Sequence, residues 1–427
     1  MKSTFPQLNK PQVYESKQIR LTSPILHIGS SVSRLNPFEY VQTSKKVYLP
    51  NQEALTKALY QQGGSFLNDY ITAIEQQEDI SRLLENAFGQ EWWNTTAANG
   101  EKIFPDIFIS RKWTEDKITD LRPMIRNGMG ELFIPGSSIK GAIRTAIAYH
   151  LLKHADSYQV PSNQRVSAIE EKLRKNIGEL SNKRNQKFAD DKLFMDSFFS
   201  DYSLTYQDRT FSGTSQNTDI LRALQVTDSQ PLLEKSAIAT NGRRIPLNLP
   251  VVPEVIVSSR FSDYSAKYRA SIYAEMVKQV DTEFTISLDT EMLSWFKHNQ
   301  GMKLPFNNLD ELLKICQEFA QEQWDYEHDY WQNIENNPNA AGKNLNFSYI
   351  RELYESEKCP YQLRLGWGSG MTGTTVGLCF PDDLRAEIRD NCGLKAPDFE
   401  APKSRRTVKT PSSDIKFVPG WVKFKAK

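Results

Sequence analysis

Two cations follow a glycine turn at a point in the sequence where an anion could bind. Residues 131–156 read ELFIPGSSIKGAIRTAIAYHLLKHAD, a strand-like run, a Pro-Gly-Ser-Ser turn and a helical pattern. Lys140 and Arg144 are four residues apart, so they share one face of this helix. A helix start favours anions and disfavours cations. The segment therefore predicts a phosphate contact, with Ser137 or Ser138 capping the helix, and a solvated cationic edge is the alternative.

The same turn does not match the loop that binds nucleoside triphosphates. Gly136 and Gly141 have the spacing of G-x-x-x-x-G-K-[ST], but Ala142 and Ile143 follow Gly141. A glycine inside a helix lowers helix propensity. Close approach of another backbone, or of RNA, would explain Gly141.

A second glycine turn, HIGSS, ends the first predicted strand at His27. Histidine is the commonest general acid or base, which makes acid–base chemistry one interpretation. A structural or hydrogen-bonding role is the other, and it is favoured because no second histidine lies nearby in sequence. The remaining histidines are His150, His154, His298 and His328.

A third glycine turn, GWGSGMTG, occupies residues 366–373. Its G-x-G-x-G spacing, followed by Thr-Thr-Val, differs from the dinucleotide fingerprint G-x-G-x-x-G. Glycines at this density allow another backbone to pass very close. Trp367 could stack on a base or pack inside the protein.

The tripeptide EHD at residues 327–329 has metal-ligand residue types, but consecutive helix residues point apart. We interpret it as a solvated face of an acidic aromatic helix, or as a protein contact through Trp324 and Trp331. Motifs for nucleophilic catalysis are also missing. The sequence therefore favours binding over catalysis, without a metal or other cofactor.

Composition sets broad limits on the class of protein. The 427 residues include 39% hydrophobic residues, and 53 basic against 52 acidic residues give a net charge of +1. The four cysteines form no C-x-x-C pair, so disulfide and zinc frameworks are not expected. The start lacks an apolar signal-peptide region, and no apolar run approaches the roughly 20 residues of a membrane span. We expect a cytoplasmic protein with reduced thiols and no membrane contact.

Strand-like and helical stretches alternate irregularly, which favours an α+β fold of small antiparallel sheets with helices on one face. We expect an N-terminal core part in residues 13–50 and 103–156, and a second β-rich core part in 216–290. The other predicted parts are a helical insertion (51–102), a charged helical insertion (157–215), an aromatic helical region (291–360), a glycine-rich strand region (361–400) and a basic tail (401–427).

Four segments in this order, SPILHIGS, FIPGSSIKGAIRTAI, LRALQVTDS and LRLGWGSGMTGTT, resemble the RAMP proteins of CRISPR systems. Among RAMP families, the set is most similar to the fifth subunits of type III-A Csm effector complexes. The resemblance implies a ferredoxin-like, RRM-type RAMP core with large helical insertions. It also implies binding to the 3′ portion of a CRISPR RNA (crRNA) and a contribution to crRNA maturation.

The resemblance further implies the partners of the chain. It would cap one end of a ribonucleoprotein filament, beside a repeated RAMP backbone subunit and a small helical subunit. Target single-stranded RNA and recruited cellular nucleases are further candidate partners. Sibling subunits cut RNA with an Asp in the loop after the first strand, whereas here that loop, HIGSSVSRLNPFEYV, holds only Glu39 as an acid. We therefore expect no catalytic residue in this chain.

Residues of the three glycine turns and nearby cations are the candidate RNA-binding residues. The weaker candidates are Arg209, Arg222, Arg243 and Arg244, which are cations near predicted loops or strand ends. The others are His27, Gly29, Ser30, Ser31, Arg34, Gly136, Ser137, Ser138, Lys140, Gly141, Arg144, Trp367, Gly368 and Ser369.

Two other functions stay open beside the non-catalytic RNA-binding subunit. One is a metal-independent RNA-processing endoribonuclease of the RAMP class that uses His27. The other is a scaffold that contacts proteins through the acidic aromatic helix and touches little RNA. Salt dependence of RNA binding separates the scaffold from the other two, because phosphate contacts release counterions.

Overall fold

The computed structural model describes residues 14–178, 191–206, 209–212, 216–233, 237–238, 244–245, 248–392, 395–397 and 399–427. Its α-helices are α1 (Gln52–Gln62), α2 (Gly64–Gln76), α3 (Ser81–Phe88), α4 (Gly136–Lys153), α5 (Val166–Asn176), α6 (Asp196–Ser200), α7 (Thr290–Ser294), α8 (Leu309–Asn333), α9 (Ser348–Leu353), α10 (Gly370–Thr374) and α11 (Asp382–Asn391). Short 3-10 turns at Ile220–Ala223 and Trp367–Ser369 matter for the site.

The strands in the described residues are β1 (Tyr14–Leu26), β2 (Val41–Gln42), β3 (Lys46–Tyr48), β4 (Ile109–Trp113), β5 (Tyr202–Tyr206), β6 (Arg209–Phe211), β7 (Leu224–Val226), β8 (Ala237–Ile238), β9 (Arg244–Ile245), β10 (Val251–Arg260), β11 (Ala266–Tyr273), β12 (Val277–Asp289), β13 (Phe296–His298), β14 (Asn337–Ala340), β15 (Lys343–Leu345), β16 (Leu363–Arg364), β17 (Arg405–Lys409), β18 (Ile415–Phe417) and β19 (Trp421–Ala426).

The first sheet carries the main core. Its order is β16-β19-β1-β12-β7, and every neighbouring pair is antiparallel. Ile19 and Leu21 of β1 are fully buried, while Arg20 between them is exposed and pairs with Asp281. This alternation is what a strand with one solvated face requires. The apolar sides of α4 and α8 cover the buried face.

The second sheet has the order β18-β17-β10-β4-β3-β2, with β11 also paired to β10. Its β10–β4 pair is parallel. The last residues of the chain join both sheets, because β17 pairs with β10 and β19 pairs with β1. The predicted basic tail therefore contributes strands to each sheet.

The helical segments between strands differ in how they pack. Helices α1 to α3 form a separate apolar cluster with Tyr48, Trp92 and Phe104. Helices α5 and α6 instead place Ile169 and Phe198 in the main core beside α4. Part of the predicted charged insertion, residues 179–190, lies outside the described residues.

Two predicted strand regions are largely helical or turn structure. Within 361–400, β16 ends at Arg364 and is followed by a 3-10 turn, α10 and α11, because Gly366 and Gly370 take positive φ values of 75° and 66°. Residues 219–228, at the start of the predicted β-rich part 216–290, are the second such region. Asp219 accepts a hydrogen bond from the Leu221 N–H at 2.8 Å and starts a 3-10 turn there, so only β7 is extended.

The architecture is an α+β fold, as the sequence predicts, with mainly antiparallel sheets and helical segments inserted between strands. Among the described residues, no helix is both long and apolar enough to span a lipid bilayer.

Two glycines in α4 give a matched test of how this helix docks. A Cβ on Gly136 would lie 2.2 Å from the Val226 carbonyl oxygen of β7, whereas a Cβ on Gly141 would meet nothing within 4 Å. Gly136→Ala should therefore cost about 1–3 kcal/mol through overpacking, and Gly141→Ala should stabilise the fold by about 1 kcal/mol through helix propensity. Urea unfolding of both variants measures this, and a fully stable Gly136→Ala would contradict the docking of α4 on β7.

Candidate nucleic-acid interface

The Pro-Gly-Ser-Ser turn docks against the segment that follows β7. The Gly136 N–H donates to Asp228 Oδ1 at 2.8 Å, and the Ile134 N–H donates to Ser229 Oγ at 2.9 Å. The predicted cap at Ser137 or Ser138 is wrong, because α4 already begins at Gly136. The anion at this helix start is the carboxylate of Asp228, supplied by the protein itself.

Both cations of the turn also have partners inside the protein. Lys140 Nζ donates to the Leu224 carbonyl at 2.7 Å. Arg144 pairs with Asp219 at 2.7 Å, and its guanidinium carbon lies 3.9 Å from the Phe199 ring centroid. Burial lowers the pKa of Lys140. These contacts within the protein explain why two cations can follow a helix start. A phosphate contact at Lys140 and Arg144 stays a prediction.

No described packing contact on the exposed side of α4 explains why residue 141 is a glycine. No atom of another described segment lies within 4 Å of the position that its Cβ would occupy, so none of these segments approaches Gly141 closely. Ser137 is exposed and Ser138 is half-buried. This part of the helix start is open to a ligand.

The other two glycine turns meet at His27. The Trp367 N–H donates to the His27 carbonyl at 3.2 Å, and a Cβ on Gly366 would lie 2.2 Å from the same oxygen. Gly368 packs against Pro419, and Ser369 Oγ donates to the Gly366 carbonyl at 2.6 Å. Gly368 and Ser369 are buried, so they shape the turn instead of offering side chains to a ligand.

His27 is held as a neutral, buried imidazole. Its side chain is 2% exposed, and its Nδ1 lies 2.6 Å from the Glu275 carbonyl oxygen. Because a carbonyl only accepts, Nδ1 carries the proton and Nε2 keeps a lone pair. Burial lowers the pKa of His27. This geometry fits the structural interpretation of His27.

The side chain of Glu275 joins two further segments at the same place, β4 and residues 124–126. Its carboxylate, 1% exposed, accepts from Ser110 Oγ at 2.7 Å, from the Met124 N–H at 3.0 Å and from the Arg126 guanidinium. The loop after β1 is anchored here too, because Gly29 forms a bridge with Met124.

The ring of Trp367 lies close to two arginines beside this loop. The guanidinium carbons of Arg122 and Arg406 lie 5.4 and 4.4 Å from the Trp367 ring centroid. Arg122 donates to the Ser33 carbonyl at 3.1 Å. The Nε atom of each arginine is buried and has no hydrogen-bond partner among the described residues. Burial, with Arg122 and Arg364 nearby, lowers the pKa of Arg406.

In the part of the chain that the structure describes, neither guanidinium has a carboxylate partner. Cations without a carboxylate partner and a half-buried tryptophan are residue types that suit an anion with an aromatic or planar group. We call Trp367, Arg122, Arg406 and the exposed loop 29–34 the Trp367 platform. The loop adds the exposed Gly29, Ser31 and Arg34, and Ser30 turns it by donating to the Val32 carbonyl at 2.8 Å.

The weaker candidates are spread over the molecule. Arg209 is exposed at the start of β6, and Arg222 is exposed and donates to the Asn217 carbonyl at 2.7 Å. None of their described contacts reaches the Trp367 platform. Arg244 lies in β9, but its side chain and the whole of Arg243 lie outside the described residues.

The sequence analysis missed Arg122, Arg406 and Glu275. A signal existed for Arg406 alone, because alternation along SRRTVK puts Arg405 and Arg406 on opposite faces of β17. Arg405 is buried, with Nε 3.0 Å from Glu327 Oε1, and Arg406 faces Trp367. Arg122 and Glu275 lie in segments without a recognisable motif.

Of the EHD tripeptide only Glu327 belongs to the core, whereas His328 and Asp329 lie on the solvated side of α8. Glu327 is 1% exposed, and it binds Arg405 and accepts from Trp331 Nε1 at 3.0 Å. Trp324 and Trp331 are 1% and 0% exposed. The predicted protein contact through these two tryptophans is therefore wrong, because both side chains fill the interior.

Comparison with known proteins identifies the family. A family model described as the RAMP superfamily matches residues 18–353. The chain therefore belongs to the RAMP superfamily, which confirms the resemblance seen in the glycine turns.

Individual relatives are more specific. The chain is 26% identical over 185 residues to CRISPR system Cms protein Csm5 of Enterococcus italicus, a match that covers 38% of this chain and 52% of that protein. It thus spans about half the length of this curated relative. The match agrees with the predicted similarity to fifth Csm subunits.

Two solved structures share the fold. One is a chain of the cryo-EM structure of a Csm-crRNA-target RNA ternary complex of a type III-A CRISPR-Cas system, with a TM-score of 0.60, 20% identity and coverage of 96% of this chain and 100% of that chain. The other is the crystal structure of T. onnurineus Csm5, with a TM-score of 0.53, 18% identity and coverage of 95% and 99%. These likenesses confirm the predicted α+β RAMP fold.

Two buried histidines predict that the fold loses stability in mild acid. Burial lowers the pKa of His27 and of His298, whose Nε2 donates to the Ser197 carbonyl at 3.0 Å. As the pH falls below about 6.5, the unfolded chain takes up protons that the folded chain does not, so stability falls. The melting temperature should decrease from about pH 6.5 downward, and His27→Gln should flatten this decrease. Thermal unfolding across pH 5 to 8 measures it; identical slopes would contradict a neutral His27.

Proposed function

We propose that this chain is an RNA-binding subunit of a type III-A CRISPR Csm ribonucleoprotein, that it holds the 3′ portion of the crRNA, and that it is not itself a nuclease. Membership of the RAMP superfamily supports this proposal. So do the similarity to a Csm5 protein and to a chain from a Csm-crRNA-target RNA complex.

The Trp367 platform is the observation that carries the proposal. Arg122 and Arg406 flank the ring without neutralising carboxylates in the described residues. Guanidinium groups suit phosphates, and a tryptophan face stacks on any base. The exposed loop beside them adds Ser31 and Arg34. Such contacts bind an RNA backbone with little sequence preference.

A capping subunit also needs a surface for its neighbours. Ile107 and Met129 are 50% and 75% exposed, and Ile107 packs over Gly130. Exposed apolar side chains of this size favour a protein contact. The partners that the proposal includes are a RAMP backbone subunit, a small helical subunit and target RNA in the assembled complex.

The absence of catalysis is part of the proposal. The loop after β1 has no Asp, and His27 is neutral and 2% exposed. One observation favours the alternative, an RNA-processing endoribonuclease: a Cβ on Gly29, at the base of the exposed loop, would lie 3.9 Å from His27 Nε2. A cleavage assay decides between the two.

Removal of two platform cations should weaken RNA binding in a salt-dependent way. In Arg122→Ala/Arg406→Ala, the slope of log K against log salt for a labelled single-stranded RNA should fall by about 1–2, because each lost phosphate contact releases fewer counterions. Arg174→Ala/Lys175→Ala is the matched control. It removes two cations from α5 that are ion-paired with Glu170, Asp383, Glu387 and Glu171.

The control should bind RNA like the wild type. Equal losses in both double variants would show that only total charge matters, and the Trp367 platform would not be the site. A wild-type slope near zero would instead favour a scaffold. If the wild type cuts the RNA and His27→Gln does not, the endoribonuclease replaces the proposal.

A further inference from the structure

A second cluster of chemical groups lies where α4 packs against α8. His150 and His154 are four residues apart near the end of α4, so they share one face of the helix. Glu318 of α8 points at both. His150 Nδ1 lies 2.5 Å from Glu318 Oε2, and His154 Nε2 lies 2.7 Å from Glu318 Oε1.

The ligand atoms of these three side chains lie close together. The ligand atoms lie within 4.8 Å of one another, and the two imidazole centroids are 4.6 Å apart. The side chains of His150, His154 and Glu318 are 13%, 38% and 25% exposed, so an ion can enter from solvent. None of these three side chains belongs to the proposed RNA-binding site.

The geometry points to a binding site for a Zn²⁺-class divalent cation, formed by His150, His154 and Glu318, that ties α4 to α8. Two imidazoles and one carboxylate form a ligand set that Zn²⁺ takes in proteins, at about 2.0–2.2 Å from each ligand. Three ligands at that distance are about 3–3.5 Å apart. Each imidazole nitrogen therefore needs to move away from its hydrogen-bonded oxygen by less than about 1 Å. The more distant ligand atoms, which lie within 4.8 Å of one another, need to approach by up to about 1–2 Å.

The surroundings of His150 suit both the metal-free and the metal-bound forms. Tyr158 Oη lies 2.8 Å from His150 Nε2. Without metal, Nδ1–H donates to Glu318, and Nε2 accepts from the tyrosine hydroxyl. With metal on Nδ1, the proton moves to Nε2, which then donates to the same hydroxyl, because a hydroxyl both donates and accepts. Such an outer hydrogen bond orients metal-binding histidines.

Lys153 competes with a bound cation. Its Nζ lies 3.4 Å from Glu318 Oε1 and also pairs with Glu322. Removal of this charge should therefore tighten metal binding. Lys153→Met keeps the aliphatic stem and removes the charge, so it should raise the affinity for the metal. A purely structural His–Glu pair would show no such increase.

Isothermal titration of the chelator-treated full chain tests the site with ZnSO₄ and, separately, MgCl₂. We expect one Zn²⁺ per chain and no binding of Mg²⁺, which prefers oxygen ligands. His154→Ala and Glu318→Gln should each weaken Zn²⁺ binding at least about tenfold, the minimum effect of changes around such sites. Lys153→Met should strengthen it.

His328→Ala is the matched control, because His328 is a similarly exposed histidine (39%) that contacts only a neighbouring carboxylate, Asp329, among its described partners. It should bind Zn²⁺ like the wild type. No Zn²⁺ binding at 100 µM, or equal affinity in wild type and His154→Ala, overturns the proposal.

A second measurement uses the wild type alone and therefore does not depend on how well the variants fold. Co²⁺ bound to wild type should show the visible absorption of a four- or five-coordinate nitrogen–oxygen site without a thiolate charge-transfer band. A thiolate band would place the ion at an exposed thiol such as Cys392 and would also overturn the assignment.

Discussion

The organisation around the β1 loop depends on one buried residue, Glu275. Its carbonyl fixes the proton of His27, and its carboxylate binds Ser110, Met124 and Arg126. A buried carboxylate is costly unless charged and polar partners satisfy it, and here they come from two separate segments, β4 and residues 124–126. The loop 29–34 and the backbone next to Arg122 are therefore anchored near Trp367.

A second set of acids sets the start of α4. Asp228 accepts from the first helical N–H, and Asp219 pairs with Arg144. The segments FIPGSSIKGAIRTAI and LRALQVTDS are thus structural partners, since Asp228 of the second segment and Asp219 just before it accept from donors of the first. The arginines beside Trp367 have no such acids in the described structure. Because the arginines beside Trp367 lack the carboxylate partner that Arg144 has, we propose that RNA contact occurs chiefly at the Trp367 platform.

Local chemistry decided which features the sequence could predict. The alternation along β1 and β12, the long amphipathic α8 and the tight glycine turns all follow from spacing, and they suffice for the α+β fold. Partners far apart in sequence could not be predicted: Gly136 with Val226, or Trp367 with Arg122 and Arg406. Acidic and aromatic residues in one helix were also ambiguous. Trp324 and Trp331 point inward because α8 is covered on several sides, which its own sequence does not reveal.

Photo-cross-linking tests the central claim most directly. A single-stranded RNA that carries 4-thiouridine at each position in turn would be irradiated in complex with the full chain, and the cross-linked peptides would be mapped. The account predicts cross-links to loop 29–34 and to the peptide that contains Trp367. Cross-links confined to the start of α4, with none on the Trp367 platform, would contradict it.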